Sequence, residues 1–254
     1  MSYQAIKFEK SDHVLVGTIQ GPVKGRESLI FLSNELSDLS GQLAWDEEVN
    51  VIVLTGSGER SFVIGTIPPE INSESGEEVF SFLASSISKI DQPVIAAING
   101  DAMGQGLELA LACDLRFASE TAHFGLPQIK EGLIPGDGGT QRLPRLAGKG
   151  RALELVLLGE TINAAEAFRI GLVHKIIPSD QLMPAVMKIA KEMASKGAIA
   201  MRFAKEAIHE GMDMTLNQGL RLEADLYSLI HTTKDRPEGI HAFKEKRPPK
   251  FEGK

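Results

Sequence analysis

One acid set in an otherwise apolar stretch is the residue best placed to do chemistry in this sequence. Glu108 lies in Leu107-Glu-Leu-Ala-Leu-Ala-Cys-Asp114, where its neighbours offer no polar face to a solvated carboxylate. Upstream, Pro93-Val-Ile-Ala-Ala-Ile-Asn-Gly100 reads as a buried strand ending in a turn, and a glycine-rich bend follows at Gly104-Gln-Gly106. A second glycine-rich bend, Ile134-Pro-Gly-Asp-Gly-Gly-Thr-Gln-Arg142, comes about one supersecondary unit later. Glycine frees backbone N–H groups to face a ligand. A carboxylate held at a helix start beside such groups can stabilise an enolate and move a proton next to it.

The elements that must position these residues follow from pattern. Val14 to Ile19 and Val49 to Leu54 are apolar runs of strand length rich in β-branched residues, and Ile30 to Leu43 has helical spacing. Val51-Ile-Val-Leu-Thr-Gly-Ser-Gly58 predicts a strand ending in a glycine turn, and a helix over Val79 to Ile90 leads into a strand over Val94 to Ile98. Strands and helices alternating at this pace imply ββα or βαβ units and an α/β architecture. Residues 164–171 predict a short helix ended by glycine, followed by a strand from Leu172 to Ile177. From Pro184 to Phe243 the chain reads as helix, with breaks near Gly197, Met214 and Asp235. The organisation expected is an α/β body over residues 1–195 and a helical C-terminal extension over 196–254. Leu216, Leu220, Leu222, Leu226, Leu229 and Ile230 cover more than one face of that extension, which suggests packing on another subunit as well as on its own body.

Composition narrows the classes. The 254 residues are 43% hydrophobic and 24% charged, which is ordinary for a globular chain able to bury a full core. No apolar run approaches the roughly 20 residues of a membrane span, and the N-terminus alternates like a strand without a signal-peptide block, so no membrane partner and a cytoplasmic location are expected. The net charge of −7 argues against nucleic acid as a main partner. The lone Cys113, among apolar neighbours, reads as a buried structural thiol. Six dispersed histidines offer no metal-ligand spacing, so no metal site is expected. Gly104-x-Gly106 lacks the third glycine and the ribose-binding acid of a dinucleotide fingerprint. Neither bend continues into a phosphate loop, and no nucleophile elbow is present.

The run from Gln92 to Pro178 resembles the central signature of the enoyl-CoA hydratase/isomerase (crotonase) superfamily. The resemblance is carried by the Pro93–Gly100 strand, Gly104-x-Gly106-x-Glu108-Leu-Ala-Leu-Ala-Cys-Asp114, Phe124-Gly-x-Pro127, Gly132-x-Ile-Pro-Gly-x-Gly-Gly-Thr-Gln-Arg-Leu143 and Ala167-x-x-Ile-Gly-Leu-Val173. It extends to both ends, including Gly239-Ile-His-Ala-Phe-Lys-Glu-Lys-Arg247. It implies a crotonase-like ββα spiral core with a helical C-terminal extension, chemistry on acyl-CoA thioesters, and homo-trimers often paired as hexamers. It leaves the exact reaction open, because one scaffold hosts hydratases, isomerases and hydrolases.

Residue by residue, the resemblance implies an oxyanion hole from the backbone N–H groups of Thr66 and Gln105. The first of the family's two catalytic glutamates matches Glu108. The second should follow Pro127, where this chain has Gln128, an amide that can hold a water but cannot exchange a proton at neutral pH. Two readings of that departure stand open. Glu108 acts alone, or another carboxylate, Asp137 or more weakly Glu131, has taken over, with Asp137 otherwise a turn-forming residue before Gly138-Gly139. Substrate contacts are implied for Lys24, Gly25, Ile64, Gly65, Gly104, Phe243 and Lys246, with cations near Lys24 and Lys246 facing CoA phosphates. The family's Ala-Asp-x-Lys after the oxyanion turn is replaced by Thr66-Ile-Pro-Pro-Glu70, so the acyl pocket is expected to be reshaped around Ile64, Ile67, residues 70–76 and Val79–Leu83. The expected reaction is hydration of an α,β-unsaturated acyl-CoA with no cofactor beyond the coenzyme A of the substrate. The alternatives are an isomerase or hydrolase of the same superfamily, or an acyl-CoA-binding subunit that has lost catalysis.

Overall fold

The computed structural model describes residues 3–21, 26–44, 46–66, 70–71, 78–79 and 82–254. Lys24, Gly25, Ile67 and most of the 70–76 loop, all named above, lie outside the described residues.

Among the described residues, twelve strands and ten helices run in the order β1 (Ile6–Ser11), β2 (Val14–Ile19), α1 (Arg26–Leu43), β3 (Val51–Gly56), β4 (Ser61–Gly65), β5 (Glu70–Ile71), β6 (Glu78–Val79), α2 (Ala84–Ile87), β7 (Val94–Ile98), β8 (Asp101–Gly104), α3 (Gln105–Ala112), β9 (Leu115–Ser119), β10 (His123–Gly125), α4 (Gly139–Ala147), α5 (Lys149–Leu158), β11 (Thr161–Asn163), α6 (Ala164–Arg169), β12 (Lys175–Ile177), α7 (Leu182–Ala194), α8 (Ala198–Gly211), α9 (Leu216–Ile230) and α10 (Asp235–Glu245). A six-stranded sheet has the order β1-β2-β3-β7-β9-β12, and a four-stranded sheet the order β11-β10-β8-β4. From β2 to β12 the large sheet is parallel, and β4, β8 and β10 run parallel in the small one. The repeating unit is therefore a strand in the large sheet, a short turn, a strand in the small sheet and a helix: β3-β4-α2, then β7-β8-α3. This is the expected ββα spiral.

Both faces of the large sheet are covered, which is why its strands read as unbroken apolar runs. Leu29, Leu32, Leu36, Leu39 and Leu43 recur at three- and four-residue intervals along α1 and pack with Ile52 and Leu54. On the other face Val51, Val53, Ile95 and Ala97 meet Leu182, Val186, Ala190 and Ala194 of α7. Asn99 joins the two strand-to-strand turns. Its Oδ1 accepts from the Gly56 N–H at 2.9 Å and its Nδ2 donates to the Gly58 carbonyl at 2.8 Å.

Several boundaries differ from expectation. Of the helix expected over Val79 to Ile90, the described residues form α2 alone, and Val79 pairs with Glu70 in an antiparallel pair of two-residue strands. Helix α1 begins four residues before Ile30, and α3 begins at Gln105 rather than after the glycine bend. Strand β12 starts at Lys175, because Leu172 and Val173 turn into the core. No helix among the described residues is long and apolar enough to cross a membrane. None of them forms a group of three or more His, Cys, Asp or Glu side chains able to hold a metal ion.

Candidate active site

The site assembles where β4 and β8 end. Their parallel pairing sets Gly65 opposite Gly104, so the next residues, Thr66 and Gln105, follow from adjacent strand ends. Gly104 turns the chain from strand to helix with φ +60°, and a Cβ there would run into the Gly65 carbonyl and the Thr66 side chain. Only glycine meets both demands. Ile64 and Gly65 are half-buried beside this turn, and Gly104 and Gln105 are buried.

Glu108 is one turn into α3, three residues after Gln105 and so on the same helix face. Its side chain is fully buried, at 0% exposure. The two carboxylate oxygens have different surroundings. Oε1 accepts from the backbone N–H of Asp137 at 2.7 Å and of Gly139 at 2.8 Å, both in the second glycine bend. Oε2 faces the Nε2 of Gln128 at 3.3 Å. Burial pushes the Glu108 carboxyl up to about 7, against the lowering pull of the Gly139 and Asp137 N–H groups. A carboxyl poised there can take and return a proton near neutrality.

Gln128 lies in the short 3₁₀ turn Pro127–Glu131, opened by proline at its first position, and is itself 1% exposed. Its Nε2 is directed at Glu108, while its Oε1 is buried with no hydrogen-bond partner. A buried amide oxygen left unpaired costs about 1–3 kcal/mol, so this acceptor marks a place where a donor from outside the chain is favoured. Glu131 is exposed at the end of the same turn.

The carboxylate of Asp137 points elsewhere. Oδ2 accepts from the Ala84 N–H at 2.6 Å, and Oδ1 accepts from the Ser85 N–H at 3.1 Å and the Ser85 hydroxyl at 2.8 Å, all at the start of α2. Burial raises its carboxyl, opposed chiefly by the N–H of Ala84 and the hydroxyl of Ser85. Arg142 Nη1 donates to the Asp137 carbonyl at 2.9 Å and so braces the bend. The Asp-Gly-Gly-Thr-Gln-Arg order was a visible motif. That its main chain would grip Glu108 was not, because the contact is made 29 residues away. Phe243 and Lys246 are remote in sequence on and after α10; Phe243 is 86% exposed and Lys246 caps the helix with φ +54°.

Parallel ββα units, a glycine-turned helix start and a buried acid gripped by main-chain amides form a scaffold on which a carboxyl group could move a proton beside an enolate. The chain belongs to the enoyl-CoA hydratase/isomerase family, whose model matches residues 30–254. It is 40% identical over 261 residues to a crotonyl-CoA hydratase of Syntrophomonas wolfei, covering 99% of both chains. It is 37% identical over 260 residues to a short-chain-enoyl-CoA hydratase of Clostridium acetobutylicum, covering 100% of this chain and 98% of that one. Its fold matches the crystal structure of an enoyl-CoA hydratase from Bacillus anthracis with a TM-score of 0.87 and 39% identity, over 99% of this chain and 100% of the other.

Proposed function

We propose that this protein hydrates α,β-unsaturated acyl-CoA thioesters using a single carboxylate. The observation that carries the reading is the pairing of Glu108 Oε2 with an amide whose own oxygen is buried and unpartnered. A water placed between them would donate one hydrogen to Gln128 Oε1 and the other to Glu108 Oε2. As its oxygen bonds to C3, its proton passes to Glu108, and the displaced electron pair moves through C2 to the thioester oxygen. The N–H groups of Thr66 and Gln105 would hold that oxyanion. Glu108 then delivers its proton to C2 and the thioester carbonyl re-forms. Ile64, Gly65 and Gly104 would line the acyl entrance, and Phe243, Lys246, Lys24 and Gly25 the coenzyme A end. Coenzyme A enters as part of the substrate, and no other cofactor is required by these steps.

An assay on 2-enoyl- and 3-enoyl-CoA thioesters tests the reading. Loss of the conjugated enoyl absorbance with a product heavier by one water is expected. Conversion of the 3-enoyl to the 2-enoyl thioester with no hydrated product would overturn it in favour of an isomerase.

The same proposal includes a homo-trimer, or a hexamer of two trimers, with residues 196–254 closing the coenzyme A site and the subunit contacts. Leu216 at 77% exposure, with Met212, Leu220, Tyr227 and Leu229 also exposed, supports it, since so much apolar surface is uncommon on a monomer. A cytoplasmic setting suits a chain whose one cysteine can form no internal disulfide.

A further inference from the structure

We infer that Asp137 is a positioning residue that couples α2 to the orientation of the Glu108 carboxylate. This rests on the reading of Glu108 as the acid–base group. Asp137 engages three parts of the fold at once. Its N–H donates to Glu108 Oε1 at 2.7 Å, its carbonyl accepts from Arg142 at 2.9 Å, and its carboxylate accepts from Ala84 and Ser85 at the start of α2. The side chain is 2% exposed, so these bonds form away from water and fix the bend rather than decorate it. Helix α2 has no side-chain cap of its own on Leu83, and Asp137 supplies acceptors to its first N–H groups from 53 residues away. Residues that move α2 therefore pull on the peptide that grips Glu108. The carboxylate itself is turned toward α2, with its oxygens already engaged, which sets it apart from a group that exchanges protons with substrate.

The geometry accounts for why the bend carries an acid between glycines. Gly139 must present its N–H to Glu108, and a Cβ on it would sit 3.0 Å from Glu108 Oε1 and 2.8 Å from Pro135 Cβ. The glycines admit the close approach, and the Asp137 carboxylate holds the flexible segment in place. A tether of this kind transmits small displacements to the catalytic group, and misplacement by about 1 Å can cost about 100-fold in rate.

The test is the pH dependence of kcat/KM for Asp137→Asn, Ser85→Ala and Glu108→Gln, measured per folded active site. In Asp137→Asn the amide nitrogen would replace one acceptor and face either the Ala84 N–H or the Ser85 N–H, so α2 should loosen and kcat should fall about tenfold. The acidic ionisation should persist, displaced to lower pH because a nearby negative charge has gone. Ser85→Ala deletes one hydroxyl and should move kcat the same way by about twofold, which keeps the test decisive if the Asn variant folds poorly. Disappearance of the ionisation in Asp137→Asn would make Asp137 itself the proton-transfer group and overturn the inference. An unchanged kcat and pH profile in both variants, with only a lower Tm, would reduce it to a stabilising contact. Glu108→Gln that keeps its activity would instead defeat the underlying reading, so the two failures are separable.

Discussion

Glu108→Gln should lower kcat/KM for enoyl-CoA hydration by about 10³-fold, the scale of a lost general acid–base group, while raising the Tm by several degrees at pH 8. The loss follows because, among the described residues, the groups beside Glu108 exchange no proton with Oε2: Gln128 cannot, and the Asp137 oxygens are held by Ala84 and Ser85. The gain in stability follows from the sign of the shift. The folded carboxyl titrates near 7, above its ordinary 4.5, so the fold disfavours the ionised form. Its favourable contribution is complete below about 4.5, is lost as the pH rises toward 7, and leaves a cost of about 3 kcal/mol at higher pH. Substitution by glutamine removes the charge and keeps an oxygen to accept from the Asp137 and Gly139 N–H groups. Its new amide would also meet the unpaired Gln128 oxygen after a flip of that side chain. Thermal melts at pH 8 and pH 4.5 check this: the variant's advantage should be present at the first and absent at the second. Equal Tm values at pH 8 would mean that the buried carboxylate carries no such cost.

Gly104→Ala should reduce kcat/KM by about 10²–10³-fold, the scale of a lost oxyanion donor. The residue combines a positive φ with direct packing on the Gly65 carbonyl, so an added methyl must push β4 and β8 apart where they pair. That would separate the Thr66 and Gln105 amides, which the proposed mechanism assigns to the thioester oxygen. The acidic ionisation of kcat/KM should be retained, because Glu108 and its bend are untouched. A variant within fivefold of wild type would place the oxyanion donors somewhere other than this turn.

How much of this could be read from the chain depends on the range of the signal. Val94–Ile98 was legible because a strand buried on both faces is written as a continuous apolar run. Glu108 was legible because a charge in an apolar helix contradicts its surroundings, and Gln128 because it stands where the family pattern has an acid. Strand β8 has four residues and no periodicity to detect. Among the described residues the helix expected over Val79 to Ile90 is realised only over Ala84–Ile87, a single turn that buries Ala84 and Ile87, while Val79 belongs to a strand. The two-way grip of Asp137 had no local trace at all. A turn-forming aspartate before two glycines looks the same whether its carboxylate caps its own turn or a helix brought beside it by the fold.

In the proposed mechanism one carboxyl group, Glu108, performs both proton transfers while Gln128 only holds water. The pH profile of kcat/KM for wild type and Gln128→Glu tests it most directly. Wild type should show a single ionisation near 7, with activity rising tenfold per pH unit below it and a plateau above. Gln128→Glu places a second acid about 3 Å from the first and should add a second, coupled ionisation. A wild-type profile already shaped by two ionisations, or one flat from about pH 5 to 9, would contradict the single-carboxylate account.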